Sequence, residues 1–408
     1  MALYFLGWEL ELLEERVRTV ERRLERRMLR DTKNAYELPR NEFMDIFRLS
    51  PELSMDLTNT LRPFLQRERN SGIPVEIQVL VAVYFYAKGS YQRATGDHFD
   101  LNVSQPSVSR CLHAITDAIN NNLLRQWVRF PMTNLERNNA REEFCNAPQP
   151  FEGAIGAIDC TYINILAPKD HEEAFVNHHG NHSLNVQAVV SPKLKILNIN
   201  ARYPGARNDS YIWSTSPIRR AMEFHYNKGE RHTWLIGDSG YPLEPWLMTP
   251  LPHYREGTRQ LKYTMKHCKA RNVVERFFGV FKSVWRCLSY QRVLMYAPDM
   301  AGKIVNACAV LHNMRIHYRI PIDVENIENG NNDEYAIRNF QQNEDEIAES
   351  PRDLELLQCK FKNKYSKIGS MDTLMVMLKH NKQKITKQIN LYLSLKMCNK
   401  LKIVVCFV

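Results

Sequence analysis

The stretch Ala154-Ile-Gly-Ala-Ile-Asp-Cys-Thr-Tyr-Ile-Asn-Ile165 contains the feature that decides the fold. β-Branched and aromatic residues fill it, as is typical of a strand, and Pro148 and Pro150 separate it from a helical pattern upstream. One acid, Asp159, lies inside this otherwise apolar run. Burying a carboxylate is costly unless a cation or hydrogen-bond donors satisfy it, so the strand predicts a functional site within a sheet.

The residues after this strand alternate between strand and helix patterns. Two more strands are predicted at Leu184–Val190 and Ile196–Tyr203, and a fourth at Thr233–Ile236. The predicted helices are Asp209–Phe224, Arg271–Leu288 and Pro298–Tyr318. Three strands, a helix, a fourth strand and late helices indicate an α/β fold.

Two further acids stand in positions that resemble that of Asp159. Asp238 ends the strand pattern Trp234-Leu-Ile-Gly, and Glu275 lies on the helix that begins near Arg271. Two strand acids and one helix acid could converge on divalent cations, and hard oxygen ligands suit Mg²⁺ or Mn²⁺. Two such ions about 4 Å apart can activate water or a 3′-hydroxyl and stabilise the leaving oxygen of a phosphodiester. The alternative is that these acids are ordinary caps and turn residues.

The residues before Pro148 form a helical region, which includes a strongly apolar helix at Pro74–Ala87 that is ended by Gly89. Residues 90–112 have helix-turn-helix form, because Asn102 tolerates the positive φ of a turn and Ser104 can cap the second helix. The polar face of that helix would offer four residues to a major groove, namely Gln105, Ser107, Ser109 and Arg110. A plain helical hairpin is the alternative.

The two ends of the chain have distinct compositions. Trp8–Arg30 is a charged helical pattern with apolar residues at three- and four-residue steps, namely Leu10, Leu13, Val17, Val20 and Leu24. It predicts either a short coiled coil or a solvated helix packed on its own domain. Beyond residue 322, an Asn-, Asp- and Glu-rich segment and then a lysine-rich one predict a disordered basic tail.

Composition narrows the classes of partner and compartment. The net charge of +10 and the pI of about 9.1 favour polyanionic partners, of which nucleic acid is the commonest. Nine cysteines without a CxxC pair favour a reducing compartment. Met1–Leu6 is apolar, but Glu9 and Glu11 follow at once, so neither a secretory signal nor a membrane partner is expected.

Three other patterns are weighed against plainer explanations. Gly237-Asp-Ser-Gly240 is similar to a serine-protease motif, but nothing else supports that disulfide-stapled fold. Cys308 and His312 could form half of a zinc site, but a core cysteine beside a hydrogen-bonded histidine is the simpler interpretation. His178, His179 and His182 could bind a transition metal, but a loop of solvated histidines is the simpler interpretation.

Several motifs occur together in one order: Ile158-Asp-Cys-Thr, His182-Ser-Leu-Asn-Val-Gln187, Pro204-Gly-Ala-Arg-Asn-Asp209-Ser, Gly237-Asp-Ser-Gly-Tyr241, Asn272-Val-Val-Glu-Arg-Phe-Phe-Gly279 and Asn306-Ala-Cys-Ala-Val-Leu-His-Asn313. Over residues 40–320 this pattern resembles the DDE nuclease domain of PIF/Harbinger transposases, and above all their domesticated nuclease descendants in animals. The resemblance implies an RNase H-like catalytic domain, a mixed sheet with flanking helices, preceded by an all-α region.

The resemblance also implies roles for individual residues. Asp159, Asp238 and Glu275 would be the catalytic acids and ligands of Mg²⁺ or Mn²⁺. Asp209 opens a helix, where an Asp is first of all an N-cap, so it is expected to support the site, as are His182 and Asn185. Expected DNA contacts on the late helix are Arg271, Arg276 and Lys282. The segment Asn177-His-His-Gly180 departs from the family, which usually carries basic residues there.

The expected organisation is a charged helix (1–40), a helical region (41–146) with a helix-turn-helix at about 90–120, a DDE nuclease domain (147–320) and a basic tail (321–408). DNA is the expected substrate, and a Myb/SANT-like DNA-binding protein is the expected partner. The expected location is the nucleus. A homo-oligomer is also compatible with the sequence. Two functions remain: a metal-dependent nuclease, or a silent, exapted protein that binds DNA or acts as a scaffold.

Overall fold

The computed structural model describes residues 2–65, 72–251 and 257–321, with side chains from residue 8 onward. The helices are α1 Ala2–Thr32, α2 Arg40–Phe47, α3 Pro51–Leu65, α4 Val75–Lys88, α5 Gln92–Gly96, α6 Gln105–Asn122, α7 Leu124–Trp127, α8 Asn134–Cys145, α9 Glu172–Phe175, α10 Asp209–Thr215, α11 Pro217–Asn227, α12 Arg259–Val284 and α13 Pro298–His317. The strands are β1 Ala154–Asn164, β2 Ser183–Val190, β3 Ile196–Pro204, β4 Trp234–Ile236 and β5 Leu247–Met248.

The five strands form one mixed sheet in the order β3-β2-β1-β4-β5. β1, β2 and β3 form an antiparallel meander, whereas β4 lies parallel to β1 and β5 lies parallel to β4. The connection between β2 and β3 is short, as antiparallel neighbours allow, whereas the crossover from β3 to β4 contains helices α10 and α11. This is the RNase H-like arrangement, so the predicted fold class is confirmed.

Apolar layers cover both faces of the sheet. On one face, Trp213, Ile218 and Met222 from α10 and α11 pack with Ile155 and Leu235 of the strands. On the other face, α12 and α13 pack against the strands with residues that are completely or almost completely buried, among them Val274, Phe277, Val305 and Ala309. Strand β2 is buried along its whole length, as expected for a strand that is covered on both faces.

Helix α13 approaches β3 very closely at Gly302. A Cβ atom at this position would come within 2.5 Å of the Ala201 carbonyl oxygen. Further along α13, His312 Nε2 lies 2.9 Å from the Leu194 carbonyl oxygen, and Asn313 bonds both backbone groups of Ile196. The end of α13 therefore clamps the β2–β3 turn, and the prediction of a core histidine that makes a hydrogen bond is confirmed.

The helical region shares its apolar core with the sheet. Residues of α2, α3, α4 and α6 belong to the same buried cluster as Ile163 of β1 and Leu311 of α13. Helix α4 ends at Gly89, whose φ of +62° is the left-handed conformation that glycine adopts at low cost. Asn102 also has a positive φ, of 45°, in the turn between α5 and α6, as predicted.

Some helix boundaries differ from those predicted. The helix expected at Asp209–Phe224 is two helices, because the Ser216 hydroxyl accepts a hydrogen bond from the Arg219 amide and Pro217 begins a new helix. The helix expected from Arg271 begins twelve residues earlier, at Arg259. Strand β5 was not predicted, since two residues carry no periodicity.

The sequence predicted a basic tail at one end of the chain and a charged helix at the other. The tail predicted beyond residue 321 lies outside the described residues. At the other end, α1 touches the body near α5, where the Arg26 guanidinium lies 3.1 Å from the Asp97 carboxylate. Within the described ranges, no helix combines the length and apolarity needed to cross a bilayer.

Candidate active site

The strand register brings Asp159 and Asp238 together. Ile236 at the end of β4 pairs with Ala157 of β1. Asp238 and Asp159 each lie two residues further on, and neighbouring strands are separated by about 4.8 Å. The two acids that the sequence suggested separately are therefore side by side, at the point where β4 ends and β1 continues.

Asp209 joins them from the turn after β3. The prediction that Asp209 caps its helix is wrong, because the N-cap of α10 is Asn208, whose side chain accepts a hydrogen bond from the Tyr211 amide. The Asp209 carboxylate is thereby free to point elsewhere. Asn185 of β2 holds it, since its Nδ2 donates both to the Asp209 carboxylate at 3.1 Å and to the Arg207 carbonyl oxygen at 2.8 Å.

The three aspartates form a compact cluster of oxygen ligands. One carboxylate oxygen from each of Asp159, Asp209 and Asp238 lies within 4.8 Å of the other two. All three side chains are half-buried. Hydrogen bonds from backbone amides orient two of them: Cys160 N–H donates to Asp159 at 2.8 Å, and Gly240 N–H donates to Asp238 at 3.0 Å.

Burial and like charge make ionisation of this cluster unfavourable. Burial raises the pKa of Asp159 to about 7, and the neighbouring carboxylates of Asp238 and Asp209 raise it as well. The guanidinium of Arg271 and the amide of Cys160 act against this rise and lower the pKa. The pKa of Asp209 is also raised, mainly by burial. A bound cation would reverse the balance by favouring the charged carboxylates.

Arg271 connects the cluster to Glu275. Its guanidinium donates to the Asp159 carboxylate at 3.0 Å and also pairs with Glu275, one turn further along α12. The Glu275 side chain is 52% exposed, whereas Arg271 is 17% exposed. Glu275 therefore lies beside the three aspartates through an arginine bridge, and it is not part of the compact cluster itself.

The donor set fits a divalent cation. Carboxylate oxygens from three chain segments are the ligands that Mg²⁺ and Mn²⁺ prefer. The Oδ1 atom of Asn185 is buried beside Asp209 and has no hydrogen-bond partner among the described residues. A buried acceptor without a donor is costly, and an ion with its water shell would supply the missing donor.

Other predicted residues are placed away from the cluster. His182 Nε2 lies 2.8 Å from Glu172 of α9, so its described partner is that carboxylate. His178 contacts the Tyr162 hydroxyl at 3.1 Å on an exposed loop, and it lowers the pKa of Asp209 by its charge. Lys282 donates to the Tyr162 carbonyl oxygen at 3.0 Å, and burial lowers its pKa to about 8. That placement ties Lys282 to β1, whereas Arg276 is exposed on α12.

The predicted recognition face of α6 is partly exposed and already makes contacts within the protein. Gln105 donates to Gln92, which in turn donates to the Tyr296 hydroxyl at 2.6 Å. Arg110 is exposed and donates to the Ser107 hydroxyl. Ser109 is half-buried, and its carbonyl oxygen faces the His113 ring. The start of α6 is thus joined to the segment between α12 and α13, and DNA contact by these residues stays a prediction.

Sequence reasoning missed a polar cluster behind the acids. The buried Tyr241 hydroxyl lies 3.3 Å from Cys160 Sγ and 3.4 Å from Gln187 Nε2. Burial raises the pKa of both Tyr241 and Cys160 well above their ordinary values, so both stay neutral. Tyr241 and Gln187 each belong to a motif quoted above, but nothing in the sequence indicates that the two motifs meet.

Comparison with known proteins agrees with this geometry. The family described as DDE superfamily endonuclease matches residues 158–313, which include all four acids. "Putative nuclease HARBI1" of Homo sapiens is 33% identical over 257 residues, which cover 62% of this chain and 71% of that protein. The protein of the same name in Xenopus laevis is 32% identical over 255 residues, with the same coverage. "Protein ALP1-like" of Arabidopsis thaliana is 26% identical over 267 residues, or 60% of this chain and 62% of that protein.

No solved structure matches the chain. The match to the family covers the strands and the helix that carry the acid cluster, and the similarity to the animal proteins extends beyond it on the same chain. The chain therefore belongs to the PIF/Harbinger transposase-derived family of DDE superfamily endonucleases.

Proposed function

We propose that this protein is an endonuclease that cleaves DNA phosphodiester bonds with divalent cations. The observation that carries the proposal is the meeting of Asp159, Asp209 and Asp238 within 4.8 Å in a half-buried site. Without a cation the arrangement is costly, as the raised pKa of Asp159 indicates. Folding alone has no need for three converging carboxylates, so a ligand of opposite charge explains them best.

The residues would divide the work as follows. Asp159, Asp209 and Asp238 would hold the cation, and Glu275 would contribute the fourth carboxylate from α12. Two bound Mg²⁺ or Mn²⁺ ions would supply activation of the attacking oxygen and stabilisation of the leaving oxygen. Asn185 orients Asp209, while the backbone amides of Cys160 and Gly240 orient the other two aspartates. Fixed ligands of this kind lower the reorganisation that the reaction requires.

DNA is the proposed substrate. The net charge of +10 favours a polyanion. Two exposed cations could contact its phosphates: Arg110, near the start of α6, and Arg276, which follows Glu275 on α12. Gln105 and Ser107 would help position the duplex, and Arg271 would turn to a phosphate if the cation displaces it from Asp159. We further propose action in the nucleus and cooperation with a Myb/SANT-like protein, on the family resemblance.

One observation favours the second candidate function, a silent protein that binds DNA. Arg271 bridges Asp159 and Glu275 and so places a positive charge of the chain itself between two of the acids. A site satisfied in this way would not need a metal. The two functions differ in one measurable respect, since only the nuclease requires that a cation compete with Arg271 for Asp159.

Nicking of supercoiled plasmid across a Mn²⁺ titration tests the proposal. Asp159→Asn, Asp238→Asn and Glu275→Gln are expected to lower the nicking rate by at least about a hundredfold, because each removes a charged ligand and leaves its shape. Asp209→Asn measures whether the residue first taken for a helix cap is a ligand. Asp170→Asn is the matched control, since Asp170 is exposed on the loop before α9.

The outcomes separate the candidates. Nicking that requires Mn²⁺ and disappears in the acid variants, but not in Asp170→Asn, establishes the nuclease. Equal nicking by all variants indicates a contaminant or another site and refutes the assignment. Retained DNA binding without nicking, with or without a Myb-like partner, supports the silent protein instead.

A further inference from the structure

A groove lies between the loop that joins α4 to α5 and the segment that joins α12 to α13. We call it the α5 groove, and its lining includes Gly89 and Tyr91 from the loop and Arg292, Leu294 and Met295 from the segment. Its volume of about 520 Å³ is in the range of sites that enclose a small organic ligand. None of the four acids is among its lining residues, so the proposed chemistry does not account for it.

Contacts within the protein fix the shape of the α5 groove. Gln105 Nε2 donates to Gln92 Oε1 at 2.7 Å, and Gln92 Nε2 donates to the Tyr296 hydroxyl at 2.6 Å. The Tyr296 ring packs edge-on against Phe85, with ring centroids 5.8 Å apart. All four residues line the groove, which therefore places amide groups beside aromatic rings in an arrangement that the fold itself sets.

Three apolar side chains in the lining are nevertheless exposed. Tyr91 is 71% exposed, Met295 is 54% exposed and Val293 is 50% exposed. Because all three line one groove, they form a patch and are not single exposed side chains scattered over the surface. A patch of this kind, bordered by polar residues, marks a contact site for a ligand or a partner.

The charge of the α5 groove favours a polyanion. Its lining contains two arginines, Arg93 and Arg292, and no Asp or Glu. Arg93 has the Asp97 carboxylate at 3.9 Å, but that carboxylate lies closer to Arg26, at 3.1 Å. Within the described ranges, Arg292 is exposed and has no carboxylate at ion-pair distance. Exposed cations beside an exposed aromatic ring are the combination that binds the phosphates and bases of a nucleic-acid strand.

The exposed ring of Tyr91 favours an unpaired strand over a duplex. In a duplex, the faces of the bases are covered by their stacked neighbours, and a protein contacts phosphates, sugars and base edges. In a single strand, the faces of the bases are free to stack on an aromatic side chain. A polyanion that uses both the arginines and the ring is therefore a single strand of DNA.

The wall of the groove is joined to the strand that carries Asp159. Asn164 ends β1 five residues beyond Asp159, which corresponds to about 16 Å along a strand. The Leu294 amide donates to the Asn164 carbonyl oxygen at 2.9 Å, and the Leu166 amide donates to the Leu294 carbonyl oxygen at 3.0 Å. A DNA strand that passes the aspartates would therefore come to this wall about five nucleotides further on, at about 3.4 Å per nucleotide.

We propose that the α5 groove binds an unpaired stretch of DNA beside the cleavage site, with a base stacked on Tyr91 and with Arg93 and Arg292 at the phosphates. The inference rests on the proposed function, because it takes DNA as the substrate. It adds a preference to that function, since DNA that is unpaired near the cleaved bond would bind more tightly than intact duplex.

Fluorescence anisotropy of the full chain in EDTA tests the proposal without cleavage. The probes are a labelled strand of thymidines and a labelled duplex of mixed sequence and the same length. Tyr91→Ala is expected to raise the Kd for the strand by about tenfold or more, and the Kd for the duplex by less than about twofold, because a stacked base is lost. Tyr91→Phe keeps the ring and is expected to bind the strand as the wild type does.

The arginines are tested by the dependence of binding on salt. Arg292→Gln is expected to weaken binding of the strand and to reduce the slope of log affinity against log salt concentration by about 0.7, because one phosphate contact is lost. Phe224→Ala and Arg220→Gln are the matched controls, since both residues are exposed on α11 and neither lines the groove. Both controls should leave the Kd values for strand and duplex unchanged.

An affinity for the strand that withstands Tyr91→Ala and Arg292→Gln would overturn the proposal, as would equal losses for strand and duplex. Polyglutamate that binds the wild type and neither variant would overturn it as well, in favour of an acidic protein partner. The result is separable from that of the nicking assay. Nicking without binding of the thymidine strand refutes the groove alone, whereas binding of the strand without nicking refutes the nuclease alone.

Discussion

Replacing Asp159 with Asn should stabilise the metal-free protein while it abolishes cleavage. The carboxylate of Asp159 is 16% exposed and lies beside two other aspartates, and only Arg271 and the Cys160 amide favour its charged form. Asparagine has nearly the same shape and carries no charge. The variant therefore removes an unfavourable charge from the fold and, with it, a ligand that the proposed chemistry requires.

The size of the effect follows from the pKa of Asp159. In the folded protein this pKa is about 7, against an ordinary value of 3.8. The native state thus holds the proton more tightly than the unfolded state, so stability from this group is greatest at low pH and is lost as the pH rises from about 4 to about 7. A gap of about three pKa units corresponds to a cost of about 4 kcal/mol above pH 7. Asparagine does not carry that cost, although losing the ion pair with Arg271 offsets part of the gain in stability.

Urea denaturation in EDTA at pH 5 and pH 8 measures this effect. The free energy of unfolding of Asp159→Asn should exceed that of the wild type, and the advantage should grow by about 3 kcal/mol between the two pH values. Subtracting the free energy of unfolding of the wild type at each pH removes the contribution of the titrating groups that both proteins share. Asp170→Asn should show a difference that does not change with pH. An advantage of Asp159→Asn that stays constant or shrinks as the pH rises would refute the assignment of a buried, uncompensated charge.

Two further predictions concern α13. Burial lowers the pKa of His312 to about 4, so the unfolded state takes up the proton first and the wild type loses stability as the pH falls from 6.5 to 4. In urea denaturation, His312→Gln should reduce that loss of stability by about 3 kcal/mol. A loss of the same size in the variant would contradict the prediction. Gly302→Ala should lower the free energy of unfolding by about 1–3 kcal/mol, because its Cβ would meet the Ala201 carbonyl oxygen at 2.5 Å. Lys303→Ala, on the exposed side of the same helix, should change the free energy of unfolding by less than about 0.5 kcal/mol.

The strands that carry the site were predictable because each is an apolar run with a clear end. β1 was predicted as Ala154–Ile165 and is observed as Ala154–Asn164, and the acid within it signalled its function. β5 gave no such signal, since its two residues become a strand only by pairing with β4. The break between α10 and α11 was legible in Ser216 and Pro217, a capping residue followed by a helix-starting proline.

The composition of the acid cluster was less predictable, because it depends on contacts between distant segments. Asn208 and Asp209 are both good N-caps, and only the observed hydrogen bonds show that Asn208 fills the role. Arg271 and Glu275 are spaced to pair on one helix face, but the reach of Arg271 to Asp159 depends on how α12 packs on β1. Periodicity likewise revealed the apolar positions of α1 without showing which side of that helix faces the body.

Arg271 cannot take the place of a bound cation, because its single positive charge is too small for the acids around it. Arg271 contacts two of the four carboxylates, those of Asp159 and Glu275, and its single charge can neutralise only a quarter of the charge that the four fully ionised acids would carry. The remainder is relieved in the metal-free protein by a proton, as the pKa of Asp159 near 7 indicates. A proton on Asp159 and a cation on the same oxygens exclude each other. Metal binding should therefore release a proton near neutral pH, and calorimetric titration of Mn²⁺ in two buffers of different ionisation enthalpy would detect that release in the wild type and not in Asp159→Asn.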